Sequence, residues 1–278
     1  MAIDRIGSQS NSERVNRIVI IGGGVIGLTT AFILARYGKA EGDEYDVQLI
    51  EREKTLGSRS TTAAGCGFRT VYQRPVNIAL SKRGMDFWME AETLLGGSIG
   101  FRRNGYVFLT GEPEMETTLE GETARQTANG IPARYTSPPE LPDVVQPMDE
   151  NQYTAALSSP RAALASPHQI VDTVAQAATD EGVTLRTGSS VTDLTPTTDG
   201  IRVEVDGEPE HADIAVNAAG AWANKIAQLT GEELPVTIDR RRLSTFDTAE
   251  FPDAPLTVDV DSGAYILPQA GRTLDAGG

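Results

Sequence analysis

The chain has 278 residues, with 39 Asp plus Glu against 24 Lys plus Arg and a formal net charge of −15 at pH 7. That balance argues against nucleic acid and anionic membrane as partners, since both require clustered basic residues. No apolar run approaches the length of a membrane span, and one cysteine, Cys66, excludes an internal disulfide and a thiolate metal cluster.

The two histidines, His168 and His211, lack partners at metal-ligand spacing, so no metal is expected. Residues 1–16 are polar and mixed in charge, without the apolar core of a secretory signal. They read as a flexible extension of a cytoplasmic protein.

The first strong element is Ile18-Val19-Ile20-Ile21, apolar on both faces and therefore a buried parallel strand. It breaks into Gly22-Gly23-Gly24-Val25-Ile26-Gly27. In the spacing Gly22-x-Gly24-x-x-Gly27, one glycine serves a tight turn, one a close approach of backbone to phosphate, and one the packing of helix on strand. Phosphate oxygens would sit on the N–H groups and positive dipole end of a helix starting near Val25. That helix, Ile26 to Tyr37, has Leu28, Ala31, Phe32 and Ala35 for a sheet-facing side, and Gly38 to end it. A second strand, Val47-Gln48-Leu49-Ile50, ends at Glu51, whose carboxylate can accept hydrogen bonds from both ribose hydroxyls of an adenosine. Strand, glycines, helix, strand and acid form a dinucleotide-binding βαβ unit.

Leu56 to Arg69 is built from small side chains, hydroxyls and glycine. Such a backbone can lie against a flat or charged ligand, although the composition alone also fits a surface loop. An amphipathic helix follows from Val76 to Leu95, with Trp88 in the core. Gly96-Gly97-Ser98-Ile99-Gly100 matches a nucleophile-elbow string, but the helix precedes it, so it reads as a helix-ending loop. A strand at Tyr106 to Leu109, an acidic helix from Pro113 to Ala128, and a run through Pro138, Pro139, Pro142 and Pro147 have the character of an insertion.

Ser166-Pro167-His168-Gln169 opens a helix running to about Glu181. Val183 to Arg186 and Ser190 to Leu194 read as strands. Ile201 to Asp206 alternates apolar and charged residues between turns at Asp199-Gly200 and Asp206-Gly207, an antiparallel meander half open to solvent. A further strand, Ala212 to Val216, runs into the small residues Asn217-Ala218-Ala219-Gly220-Ala221 and then Trp222. Such an ending lets a ligand touch the carboxyl edge of a sheet. Short strands are expected around Pro235 to Ile238, Leu243 to Phe246 and Tyr265 to Leu267. The expected fold is α/β: a Rossmann-like dinucleotide-binding domain over residues 17–100 and 151–230, with an interleaved α+β domain on a mixed or antiparallel sheet over 101–150 and 231–278.

The glycine turn, Glu51-Arg52, the Gly57-Ser58-Arg59-Ser60 to Gly67-Phe68-Arg69 stretch, Val183 to Val191, and Val216-Asn217-Ala218-Ala219-Gly220-Ala221-Trp222 resemble the FAD-dependent D-amino acid oxidase family. The sarcosine oxidase and glycine oxidase branch is the most similar. The resemblance implies FAD as cofactor, a small amine or amino-acid substrate, and an FAD-binding domain beside a substrate domain. It puts Gly22, Gly24, Val25, Ile26 and Gly27 at the pyrophosphate, Glu51 at the ribose and Arg52 beside the adenine. Ser58, Arg59, Ser60 and Thr61 match the loop that wraps pyrophosphate and flavin, and Val191 the residue whose backbone meets the adenine edge. Ala219, Gly220 and Trp222 match the segment closing over the cofactor, and Arg69 the arginine near flavin or substrate carboxylate. Arg240, Arg241 and Arg242 match a substrate-domain segment and read first as surface residues.

Family members continue past the end of this chain with a segment that contacts the isoalloxazine. Three readings follow: an amine or amino-acid oxidase or dehydrogenase; an FAD- or adenylate-binding fragment or subunit, with a separate C-terminal partner or as a homo-oligomer; and an NAD-dependent dehydrogenase using the same glycines.

Lysine occurs only at Lys39, Lys54, Lys82 and Lys225 in this strongly acidic chain, the pattern of a protein working in high salt, where screening relieves self-repulsion. The thermal midpoint should therefore fall on desalting; a midpoint indifferent to ionic strength would contradict the high-salt reading.

Overall fold

The computed structural model describes residues 16–42, 45–137, 140, 149–247, 254–269 and 273–277. The expected extension lies outside these residues except for Asn16, as do Pro138, Pro139, Pro142 and Pro147.

The chain begins with β1 (Asn16–Ile21), α1 (Val25–Glu41), β2 (Tyr45–Glu51), β3 (Gly67–Phe68) and α2 (Pro75–Leu95). Then come β4 (Tyr106–Thr110), α3 (Pro113–Ala128), β5 (Arg134–Thr136), β6 (Ala155–Ser159), β7 (Ala163–Leu164) and α4 (Pro167–Asp180). Strands β8 (Thr184–Thr187), β9 (Val191–Pro196), β10 (Ile201–Val205), β11 (Glu208–Ala212) and β12 (Ile214–Asn217) precede α5 (Ala223–Gln228). The last strands are β13 (Leu243–Asp247), β14 (Leu256–Asp259), β15 (Tyr265–Pro268) and β16 (Thr273–Gly277). Two compact units result, Met1–Ser60 with Val174–Val236 and Thr61–Thr173 with Thr237–Gly278, and one of the three division points falls within α4.

In the first unit a parallel sheet runs β12-β1-β2-β8. Ile18, Val19, Ile20 and Ile21 are all buried because the sheet is covered on both faces, which explains the unbroken apolar run. Val19, Ile21 and Ile50 pack against Leu194, Val203, Val205 and Ala212 of the antiparallel β11-β10-β9 sheet. Alternation turns Ile20 and Leu49 the other way, and α1, with Leu28, Ala31 and Phe32 buried, lies against β1 and β2. Helix α1 does not stop at Gly38, which is buried within it; Gly42, in the left-handed region with φ 78°, terminates it four residues later.

The second unit is built on a mixed sheet ordered β13-β16-β15-β14-β4-β6-β5, in which only β14 and β4 pair in parallel. Tyr106, Phe108, Leu119, Leu157, Leu164, Leu256 and Leu267 form its core. The α/β class with a parallel sheet and a separate mixed sheet is as expected, but the unit boundaries differ. Residues 61–100 and 151–173 belong to the second unit: β3 pairs with β7, and β6 sits between β4 and β5. The strand expected at Pro235 to Ile238 does not form; Pro235 has no N–H for a ladder, and the Val236 N–H closes a local turn on the Leu234 carbonyl, 2.8 Å away.

Candidate functional site

In the first unit the chain passes from β1 through α1 to β2 on one side, and β12, later in the sequence, pairs on the other, so the strand order reverses at β1. This is the switch point at which open parallel sheets bind ligands. The backbone there is tied to both neighbours: the Gly22 N–H donates to the Ile50 carbonyl and the Ala218 N–H to the Ile21 carbonyl, each at 2.9 Å.

Gly22 has φ +119°, and a Cβ on it would stand 2.5 Å from the Ala218 carbonyl oxygen. A Cβ on Gly27 would overlap the Gly22 carbonyl oxygen itself. Gly22 thus makes the turn and Gly27 brings the helix onto it, while Gly24 is the helix N-cap residue. Helix α1 has neither a side-chain cap nor an acidic residue in its first turn, so its positive end is not neutralised by the helix's own side chains. Val25 is half-buried, and Ile26, 69% exposed, projects from the first turn.

Glu51 ties the backbone of two segments together. One of its carboxylate oxygens accepts the Gly23 N–H at 2.6 Å and the other accepts the Glu53 N–H at 2.8 Å. A carboxylate has about four lone-pair positions, so capacity remains for two hydroxyls. Gly23, an unspecified position of the glycine pattern, also has no room for a side chain: a Cβ there would lie 2.6 Å from Leu56 and 2.9 Å from Glu51. Its carbonyl accepts the Gly57 N–H at 2.8 Å, drawing the start of the Ser58-Arg59-Ser60 loop to the turn; these three residues are exposed.

Glu53 was not legible as a site residue, yet it organises the cations. One of its carboxylate oxygens accepts Arg59 Nε at 3.0 Å and Nη2 at 2.6 Å, and stands 3.3 Å from Arg52 Nε. The Arg59 hydrogen bond holds the Glu53 carboxyl below the usual carboxylate range. Both guanidiniums lie over the Trp222 ring, Arg52 at 3.9 Å from its centroid and Arg59 at 5.8 Å. Trp222 ends a short 3-10 turn with Gly220, which has φ +53° and open space beside its α-carbon. Asn217 holds that segment, accepting the Ala219 N–H at 3.2 Å and donating to the Ala223 carbonyl at 2.8 Å. Val191, half-buried, starts β9 and follows a loop whose Ser189 N–H donates to the Glu51 carbonyl at 3.0 Å.

Gly22, Gly24, Val25, Ile26, Gly27, Glu51, Arg52, Ser58, Arg59, Ser60, Val191, Ala219, Gly220 and Trp222 therefore all belong to one unit. Thr61 and Arg69 belong to the other. There Arg69 is exposed, with its guanidinium 5.0 Å from the Tyr72 ring centroid. Burial pushes the nearby Tyr106 phenol up to about 12, against the opposing charge of Arg69. Cys66, at φ +50°, is half-buried, and burial pushes its thiol up to about 11, so it is not activated as a nucleophile.

The sequence profile described as "FAD dependent oxidoreductase" matches residues 17–278. The chain belongs to this family. The match bears out the resemblance to D-amino acid oxidases and sets aside the NAD-dependent reading. The chain is 28% identical over 260 residues to mitochondrial dimethylglycine dehydrogenase of Rattus norvegicus, covering 90% of this chain and 29% of that protein. It is 26% identical over 273 residues to mitochondrial sarcosine dehydrogenase of Mus musculus, covering 94% of this chain and 28% of that protein. It thus spans less than a third of either relative. Among solved structures, L-proline dehydrogenase from P. horikoshii superposes with a TM-score of 0.85 at 25% identity, over 94% of this chain and 69% of that one.

The residues at the switch point fit the adenosine diphosphate half of FAD: a helix end without a side-chain cap, a turn without Cβ atoms, a carboxylate with acceptor capacity and two guanidiniums. Gly27→Ala should cost about 1–3 kcal/mol of stability, because backbone must move, and should weaken FAD uptake; urea titration and flavin fluorescence measure the two effects.

Proposed function

We propose that the protein acts on an amino acid or N-methylated glycine, removing hydride from the carbon next to nitrogen. The observation that carries the reading is the coupling of Gly23, Glu51 and Glu53 at the end of β1 and β2, in a chain of the FAD dependent oxidoreductase family. The names of its relatives, dimethylglycine, sarcosine and L-proline dehydrogenases, support the substrate class. Bound FAD would supply the hydride acceptor.

The chain's own residues hold and orient. In this reading the turn at Gly22 to Gly27 offers N–H groups and the helix dipole to pyrophosphate, and Glu51 accepts the ribose hydroxyls. Arg52 lies beside the adenine, Arg59 offsets phosphate charge, and Trp222 with Ala219 and Gly220 borders the nucleotide. Arg69 grips the substrate carboxylate, for which a planar guanidinium gives two parallel hydrogen bonds. Orientation of the scissile C–H bond then replaces acid–base chemistry as the main protein contribution.

Purified protein should take up FAD, turn yellow, and bleach anaerobically with sarcosine, dimethylglycine, L-proline, glycine or a D-amino acid. Arg69→Ala should raise KM for such substrates on the order of tenfold or more while leaving FAD uptake unchanged. A protein that stays colourless with excess FAD rules out the flavoenzyme reading. FAD uptake without bleaching by any of these substrates favours the binding fragment or subunit instead.

A further inference from the structure

We propose that Asp206 is a positioning residue for the adenine end of the cofactor, holding the main chain at Ser190 and hence at Val191; the proposal rests on the FAD reading above. Asp206 and Gly207 both have positive φ, 55° and 88°, and form the two-residue turn between β10 and β11. Glycine would adopt that conformation more easily, so the turn alone does not call for aspartate.

What aspartate adds is a hold on a different loop. Its Oδ1 accepts the Ser190 N–H at 2.8 Å, and its own N–H donates to the Ser190 carbonyl at 3.0 Å, so both backbone groups of Ser190 are engaged by one residue. Its Oδ2 stands 3.3 Å from Arg186 Nη2. That guanidinium donates through Nε to Ser189 Oγ at 3.0 Å and through Nη1 to Glu210 at 2.7 Å. From the opposite side, the Gly188 and Ser189 N–H groups donate to the carbonyls of Glu53 and Glu51 at 2.8 and 3.0 Å. The three residues before Val191 are therefore fastened to the end of β2, which carries the ribose acid, and to the β10–β11 turn.

The strand ladder does not do this job by itself. The β9–β10 register shifts between Glu204 and Val205, opposite Val191, so the regular pairing that sets a strand's position is interrupted there. Asp206, one residue beyond Val205, supplies the tie that the ladder lacks. The Ser190 N–H bond also holds the Asp206 carboxyl below the usual carboxylate range, so the acceptor is ionised at neutral pH.

The test compares wild type with Asp206→Gly, Asp206→Asn and Asp206→Ala in the full chain, reading FAD affinity by flavin fluorescence and the cofactor-free thermal midpoint. Glycine keeps the turn and removes the acceptor; asparagine tolerates the turn and keeps an oxygen for the Ser190 N–H. Asp206→Gly should bind FAD about three- to tenfold more weakly with a midpoint near wild type, and Asp206→Asn should restore the affinity. Unchanged FAD affinity in both Asp206→Gly and Asp206→Ala would overturn the proposal. So would an Asp206→Asn loss as large as that of glycine, or a loss seen only in proportion to a lowered midpoint. A wild type that takes up no FAD would remove the flavoprotein reading and this one with it, whereas normal wild-type uptake with any of the other three outcomes removes this one alone.

Discussion

The contact on which the first unit depends joins two glycines: the Gly22 carbonyl oxygen occupies the space that a Cβ of residue 27 would need. Helix α1 can then start directly at the end of β1, with its axis close to the sheet and Leu28, Ala31 and Phe32 buried beneath it. Because the turn is so short, Gly23 lands within reach of the Glu51 carboxylate at the end of the neighbouring strand. The same carboxylate takes the Glu53 N–H, so the direction in which the chain leaves β2 is coupled to the shape of the glycine turn. Strand, turn and acid are one backbone assembly, and each of the other site segments attaches to it through a main-chain hydrogen bond.

Charge follows the same scheme. In a chain of net charge −15, Arg52 and Arg59 share one carboxylate and one indole ring. Glu53 reduces their mutual repulsion, and with the Glu51 carboxylate on the adjoining backbone two acids stand with two arginines. The acidity of the whole chain is thus not repeated locally, where each arginine has a carboxylate partner. Farther out, Arg17 and Arg186 both pair with Glu210, linking β1, β8 and β11 behind the loop that leads to Val191.

How much of this was legible in the sequence follows the range of each interaction. β1, α1, β2 and Glu51 were readable because their signals are local: an apolar run, a glycine spacing and an acid at a strand's end. The roles of Gly23, Glu53 and Asp206 were not, since each is defined by a partner elsewhere, Glu51, the Arg52 and Arg59 pair, and Ser190. The misplaced unit boundary has a similar origin. β6 is Ala155-Ala156-Leu157-Ser158-Ser159, with no β-branched or aromatic residue to announce a strand, and becomes one only by pairing with β4 and β5 on either side.

The small-residue stretch before Arg69 shows how one composition can have two causes. Its glycines read as room for a flat ligand, but a Cβ on Gly65 would overlap Leu267 and one on Gly67 would overlap the Tyr106 hydroxyl. At these two positions the space is taken by side chains of the sheet of their own unit. Between them Cys66 has φ +50°, and β3 pairs with β7. Phe68 is then set against Trp88 and Phe101, with ring centroids at 5.3 and 5.9 Å, so the residue before Arg69 is anchored by packing. Buried, the Tyr106 phenol stays neutral through the physiological range, which leaves Arg69 as the cation among the groups that shift it.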